Sequence, residues 1–199
     1  AERGASVIIA DVDPTGEQLA AELRAGGADA RYVRLDVTSE ADWKSVVEGA
    51  MKSHGKVDIL VNNAGVVVLK SVEESTVEDF DFVFNVNIKG VFLGCKNILP
   101  AMKAAGGGSI VNIASASGLK AVMPQLSIYT ASKGAVRMFS KAAAWEYTPL
   151  NIRVNSVYPG LIETSLNAEF LKDPATCKMM LGNTMFDRPG ACSEVSEAV

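Results

Sequence analysis

Tyr129 and Lys133 stand four residues apart in the run LSIYTASKGAVRMFSKAAAWE. On a helix that spacing sends both side chains from one face, a turn apart. A free phenol has a pKa of about 10, too high to exchange protons readily near neutrality. A cation held beside it favours the phenolate, and each pKa unit corresponds to about 1.4 kcal/mol. The pair is therefore a candidate general acid or base. A surface helix exposing an unrelated Tyr and Lys has the same spacing, so the surroundings must decide. Ser115, in the stretch Ile113-Ala114-Ser115-Ala116-Ser117-Gly118, offers a hydroxyl to the same substrate oxygen, and Ser117 competes on chemistry alone.

Asp11 closes the apolar run Ser6 to Ala10. A dinucleotide-binding sheet places an acid at such a point to accept hydrogen bonds from the adenosine ribose. A carboxylate there also repels the extra phosphate of NADP, although Asp13-Pro14 just behind it fits a plain turn. Asn62-Asn63-Ala64-Gly65 follows another apolar run, and its small residues allow backbone to approach a cofactor closely.

Positioning these residues requires alternating strands and helices. Strands are expected at Ser6 to Asp11, Ala30 to Leu35, Val57 to Val61, Ser109 to Ala114 and Ile152 to Val157. Between them lie helices from Pro14 to Ala25, from Ser39 to His54, and over Thr76 to Ala105, the last interrupted at Asn87 and Gly90. Gly26-Gly27 stops the first helix. Trp43, Val46, Val47, Ala50 and Met51 trace the apolar face of the second. Around Tyr129, Ala135, Met138, Phe139, Ala142 and Ala143 recur at helical spacing. Gly106-Gly107-Gly108 follows a helix and precedes a strand, the reverse of a phosphate loop, and reads as a connector. The alternation predicts an α/β fold, a doubly wound, Rossmann-like parallel sheet. Ligands of such a sheet bind beyond the carboxyl ends of its strands. Asp11, Asp36, Asn62 to Gly65, Ser115 and Pro159-Gly160 should then line one rim.

The 199 residues suit a single domain, residues 1–199, without repeats or linkers. A net charge of −4 with no cationic cluster argues against nucleic acid. Cys95, Cys177 and Cys192 lack metal or CxxC spacing, so no metal is expected and reduced thiols in a cytoplasmic protein are. His54, the sole histidine, precedes Gly55 at a helix end, which fits a cap better than a catalytic triad. No apolar run reaches membrane-spanning length and no signal peptide is visible.

Taken in order, these residues resemble the short-chain dehydrogenase/reductase family, in the branch with NNAG and YxxxK motifs. The ordered set is Asp11, Asp36-Val37, Asn62 to Gly65, Asn87 in Val86-Asn87-Ile88-Lys89-Gly90, Ser115, Tyr129 with Lys133, then Pro159-Gly160 with Thr164. The resemblance implies a catalytic tetrad of Asn87, Ser115, Tyr129 and Lys133, with Ser115 preferred because it lies three residues before Gly118. It implies adenine contacts from Asp36 and Val37, cofactor-ribose contacts from Asn63, Ala64 and Gly65, and a nicotinamide cradle of Pro159, Gly160, Ile162 and Thr164. NAD is the implied cofactor, with Asp11, Tyr129 and Lys133 also touching it. Tyr129 would exchange the alcohol proton, its pKa lowered by Lys133 and the oxidised ring. Ser115 would bond the same oxygen, and Asn87 would hold a water that relays protons from Lys133.

The family's glycine-rich first turn has no counterpart before Ala1-Glu2-Arg3-Gly4. Ser193 to Val199 looks like the start of a helix leading to a final strand, also without counterpart. The chain is therefore expected to be a fragment lacking the first strand–helix unit and the last strand, with an open slot in the sheet. Leu161, Leu166, Phe170, Leu171, Met179, Met180, Leu181, Met185 and Phe186 make the segment over the substrate apolar and adaptable. With no Arg or Lys expected at the pocket mouth, the substrate reads as a small uncharged secondary alcohol or its ketone. NIRVNSVYPG and the following segment resemble dehydrogenases of cyclic secondary alcohols. The alternatives are an NADPH-dependent 3-oxoacyl carrier-protein-type or other carbonyl reductase, and a non-catalytic dinucleotide-binding protein. The family commonly forms tetramers, and Phe92, Phe139 and Trp145 could face a partner or the core equally.

Overall fold

The computed structural model describes residues 4–182 and 184–199, and the side chains of these apart from 169 and 170. The start of the chain and Phe170, both invoked above, fall outside this description. β1 (Val7–Asp11) and β2 (Ala30–Arg34) pair in parallel across α1 (Gly16–Ala25). β3 (Ile59–Asn62), β4 (Gly108–Ile113) and β5 (Ile152–Val157) form a second parallel ladder with β4 in the middle. α2 (Glu40–His54) links β2 to β3. α3 (Val77–Phe84) and α4 (Gly90–Ala104) precede β4, and α5 (Ser127–Tyr147) precedes β5. The strands therefore fall into two hydrogen-bonded sets. Among the described residues no ladder joins β1 to β3, and each keeps one backbone edge without a strand partner. β3 leaves Ile59 and Val61, which share one face of the strand, 58% and 39% exposed.

Side-chain packing joins the two sets where backbone pairing does not. Leu35, Trp43 and Leu93 form a buried cluster against which both Ala10 of β1 and Leu60 of β3 pack. The larger core lies between α4, α5 and the β4–β5 pair, with Cys95, Met102, Ile110, Val136 and Ile152 almost fully buried. Each large apolar side chain so buried contributes roughly 1.5–3 kcal/mol.

Local sequence explains the helix ends. Ser39 accepts from the Asp42 amide ahead of α2, and Gly55 stops that helix at φ +73°. His54 is the last residue of α2, in keeping with a terminal role, and its Nδ1 lies 3.8 Å from Asp29. Thr76 and Asp79 cap α3 reciprocally. The expected interruption near Asn87 is a π-turn at Asn85–Lys89. Gly90 does not interrupt; it is helical and sits where a Cβ would stand 3.0 Å from the Val37 side chain. The glycine triplet is the connector expected, with Gly106 at φ +80° and Gly107 at φ +154° before β4.

α5 buries Ser132, Lys133, Val136, Ser140, Ala143 and Tyr147. Met138 and Ala142, which recur at helical spacing in the sequence, lie on the solvent side. No helix among the described residues is long and apolar enough to cross a membrane.

After β5 the chain forms α6 (Ala168–Lys172), α7 (Pro174–Leu181) and α8 (Cys192–Ser196). A parallel bridge between Ile162 and Gly190 pins the base of this segment, and Arg188 grips Glu194 through both guanidinium nitrogens at 2.8 Å.

Candidate active site

The carboxyl ends of β1, β3, β4 and β5 open onto one cleft of about 670 Å³, roofed by α7, α8 and the loops beside them. Asp11, Asn63 to Gly65, Ser115, Tyr129, Lys133, Pro159, Gly160, Ile162 and Thr164 all reach its wall. Three predicted site residues do not. Asp36 accepts from both the amide and the hydroxyl of Thr38 at 2.8 Å. The Val37 carbonyl accepts from the Trp43 indole at 3.0 Å. Asn87 is fully buried behind the cleft.

Ser115 caps a single 3-10 turn at Ala116–Gly118 and accepts from the Ser117 amide at 3.1 Å. Gly118 lets this turn lie directly on α5: a Cβ there would stand 2.7 Å from the Lys133 carbonyl oxygen. That contact carries Ser115 to Tyr129. Burial pushes the Tyr129 phenol up from its ordinary pKa, and a hydrogen bond with Ser115 works against the rise. Both Ser115 and Ser117 line the cleft, and Ser115 is the one bonded to the phenol.

Lys133 is 4% exposed, and burial pushes its ammonium down from 10.5 to about 8. Its Nζ donates to the Ile113 carbonyl at 2.8 Å and stands 5.8 Å from the centre of the Tyr129 ring. At Tyr129 burial dominates, so the phenol stands above its ordinary value although Lys133 lies beside it. Desolvation raises the phenol and lowers the ammonium, because each loses water in its charged form. An ammonium has three N–H donors. Two of those on Lys133 have no acceptor among the described residues, in a wall that also holds Ala64 and Gly65. A Cβ at Gly65 would lie 3.3 Å from Lys133 Nζ and 3.5 Å from Asn87 Oδ1. The donors and the small residues beside them fit the hydroxyls of a nicotinamide ribose.

Asn87 joins two parts of the site. Its amide accepts from the Val66 N–H at 2.8 Å and donates to the Val66 carbonyl at 2.9 Å and to Ser132 at 3.0 Å. Ser132 in turn donates to the Tyr129 carbonyl at 2.7 Å. Asn62, expected on the rim with Asn63, instead points into the core. It donates to Asn112 at 2.8 Å, and Asn112 donates to Ser140 at 2.8 Å. Cys95 lies at the end of this chain, its thiol pushed up to about 12 by burial. Sequence reasoning missed this network and the Ser132 link. The signals were a lone Asn112 inside an apolar strand, and two serines eight apart on the Lys133 helix.

Asp11 turns a carboxylate oxygen to the Asp13 amide at 3.0 Å, so it does shape a turn, yet it remains exposed on the cleft wall. Arg34, its partner in the β1–β2 register, is directed to Asp42 instead. In the roof, Leu161, Leu166 and Met180 meet the cleft, whereas Met185 and Phe186 are 101% and 70% exposed. Lys120 also lines the cleft, correcting the expectation of a mouth without Lys or Arg. The 3-10 turn folds the segment after Ser115 back over the opening and takes Lys120 with it.

The short chain dehydrogenase family pattern matches residues 1–175. The chain belongs to the short-chain dehydrogenase family. The cyclopentanol dehydrogenase of Comamonas sp. (strain NCIMB 9872) is 41% identical over 200 residues, covering 100% of this chain and 80% of that protein. The 3-alpha-(or 20-beta)-hydroxysteroid dehydrogenase of Mycobacterium bovis is 43% identical over 165 residues, covering 82% of this chain and 62% of that one. Among solved structures, a gluconate 5-dehydrogenase from Burkholderia cenocepacia J2315, in complex with NADP and tartrate, superposes with a TM-score of 0.93. It is 32% identical over 100% of this chain and 78% of its own. This short-chain dehydrogenase is accordingly an oxidoreductase of Rossmann-like fold that acts on CH–OH groups and uses a nicotinamide dinucleotide.

Proposed function

We propose that this chain is an NAD-dependent dehydrogenase that interconverts a secondary alcohol of apolar body and its ketone. The observation that carries the reading is the convergence of Ser115, Tyr129 and Lys133 on one cleft, with the phenol bonded to the serine. Bound nicotinamide would supply the hydride acceptor at its C4 position. Tyr129 exchanges the proton at the substrate oxygen, acting as acid toward the ketone and as base toward the alcohol. Ser115 donates to that oxygen and orients it. Lys133 offers its two free donors to the ribose beside Asn63, Ala64 and Gly65. Pro159, Gly160, Ile162 and Thr164 cradle the nicotinamide from the opposite wall, with Asp36 and Val37 toward the adenine.

The base role requires the phenol to ionise. Burial holds Tyr129 up, and a positive ring bound beside it would lower its pKa. Asn87 holds Val66 and Ser132 in place, and its π-turn lies behind Lys133, where a water could pass protons outward.

Asp11 supports NAD, because its carboxylate faces the cleft and the neighbouring Arg34 is engaged by Asp42. The relative named cyclopentanol dehydrogenase and the leucine- and methionine-lined roof support a cyclic, largely apolar substrate. The NADP-bound structural relative favours the second reading, an NADPH-dependent carbonyl reductase such as the 3-oxoacyl carrier-protein type. The free cysteines suit a cytoplasmic setting, and the apolar outer faces of α4 and α5 suit a homotetramer.

The test follows reduced-nicotinamide absorbance with cyclohexanol and either NAD or NADP, for the native chain and for Tyr129→Phe. The native chain should reduce NAD alone. Tyr129→Phe should lose about 10²–10⁴ in turnover while still binding NAD. Reduction of NADP instead would favour the second reading, full activity in Tyr129→Phe would remove Tyr129 from the proposed mechanism, and cofactor binding without any turnover in the native chain would leave only a dinucleotide-binding role.

A further inference from the structure

We propose that Lys120 is a specificity-determining residue that pairs with an anionic group, a carboxylate in the first instance, carried by the substrate away from its reacting carbon. The proposal rests on the site read above as that of a secondary-alcohol dehydrogenase.

Lys120 and Lys133 are the two cationic side chains among the described residues of the cleft wall, and Asp11 is the one acidic residue there. Their positions separate them by task. Lys133 is 4% exposed and bonded to the Ile113 carbonyl. Asp11 is the last residue of β1 and is exposed. Lys120 is exposed, follows the turn that carries Ser115, and its ammonium makes no hydrogen bond or ion pair with any described residue. A ligand that enters need not break an existing pair at Lys120, so the ordering of the lysine stem is the main cost of engaging it.

The surroundings of Lys120 specify the rest of the ligand. Val122, Leu126, Leu161, Leu166 and Met180 line the same cleft, so the body of a ligand filling it is apolar. The separation of those ends is bounded by the backbone. The Leu119 and Lys120 amides both bond back to the Ala116 carbonyl after the 3-10 turn, so the Ser115 and Lys120 backbones lie on the order of 10 Å apart, and the flexible lysine stem sets the final reach. The matching ligand is a hydroxy acid or keto acid with a compact, ring-sized body. A carboxylate seated in the cleft within reach of the ammonium would pair with it, and salt would weaken that pair because Lys120 is exposed. A neutral substrate gains nothing from Lys120, so the residue acts by selecting among alcohols.

The deciding experiment needs no turnover. Titration calorimetry on the full chain would compare cyclohexanecarboxylate with the isosteric, uncharged cyclohexanecarboxamide, for the native protein, Lys120→Gln and Lys120→Arg. The native protein should bind the carboxylate about ten- to a hundredfold more tightly, as expected for a hydrogen bond to a charged group. Lys120→Gln should bring the ratio close to one, while Lys120→Arg keeps most of it. Salt should weaken carboxylate binding in the native protein and not in Lys120→Gln. Equal affinities in the native protein, binding of neither ligand, or a ratio that survives Lys120→Gln would overturn the proposal. Because cyclohexanol oxidation is read separately, a protein that selects the carboxylate but turns over no alcohol would discredit the enzyme reading alone. If turnover is found, kcat/KM for 3-hydroxycyclohexanecarboxylate over its methyl ester should follow the same ratio.

Discussion

Lys133 keeps an ammonium almost out of solvent, and the consequence can be read in the stability of the fold. Its folded pKa is about 8 against an ordinary 10.5. Below the lower value both folded and unfolded chains hold the proton, and the folded state bears the full cost of desolvation. Between about 8 and 10.5 the folded lysine is neutral while the unfolded one remains charged, so the unfolded chain binds more protons and stability rises with pH. At about 1.4 kcal/mol per pH unit, the rise from this group is on the order of 3 kcal/mol. Cys95 acts oppositely above its ordinary value of 9.0, since its folded pKa is near 12. That contribution cancels when the native chain is compared with Lys133→Met. Urea melts across this pH range should show the native chain gaining stability on the variant by that amount. A difference that stays flat with pH would mean that Lys133 is solvated when folded.

The contact between the Ser115 turn and α5 works at the level of elements. A Cβ at Gly118 meets Lys133 backbone at 2.7 and 2.8 Å, and backbone cannot swing aside as a flexible side chain would. Gly118→Ala should destabilise by about 1–3 kcal/mol through overpacking. It should also shift Ser115 from Tyr129, and a displacement near 1 Å costs about a hundredfold in rate. Gly134, on the other side of the same contact, has its nearest neighbour at 4.0 Å. Gly134→Ala should therefore keep activity and gain a few tenths of a kcal/mol from helix propensity. Urea melts and turnover of the two variants give the comparison, and equal behaviour would show that the turn is not braced by α5. The same reasoning explains why α5 buries Ser132 and Ser140. Each joins a buried amide, Asn87 or Asn112, so the polar side chains are bonded inside.

For the whole molecule, the apolar residues that α5 sends outward are the informative ones. Met138, Ala142 and Trp145 recur at helical spacing on the exposed side, with Trp145 86% and Met138 60% exposed. Phe92 of α4 is 45% exposed and meets Phe139 edge-on at 6.4 Å. A contiguous stripe of this kind is characteristic of a surface that another chain covers. If the chain self-associates here, Met138→Glu combined with Trp145→Glu should convert the assembly to monomer in sedimentation velocity. A native chain that sediments as a monomer, or a doubly charged variant that still assembles, would count against this surface.

How much of this was legible beforehand differs by element. Strand and helix order, the ends at Ser39, Gly55 and Thr76, and the pairing of Tyr129 with Lys133 follow from local signals, whereas Ser115 was joined to them by the family resemblance. Apolar runs, caps and a four-residue spacing act over a turn or two of chain, so a sequence displays them directly. The α5 faces were not assigned by the sequence, because hydrophobic periodicity locates a stripe without saying whether core or solvent lies against it. Asn62 and Asn63 are adjacent and alike, yet one is bonded in the core and the other lines the cleft, since successive side chains leaving a strand point to opposite sides. The pKa directions at Tyr129 and Lys133 depended on burial, a property of every element packed around them. Lys120 reached the cleft only because a glycine let one turn lie flat on another helix. What the sequence by itself determined, then, was which chemistry the chain holds and in what order. Tertiary structure alone decided which groups lose water, which polar residues find partners, and which cation is left free to meet a ligand, because each depends on contacts between residues distant in the chain.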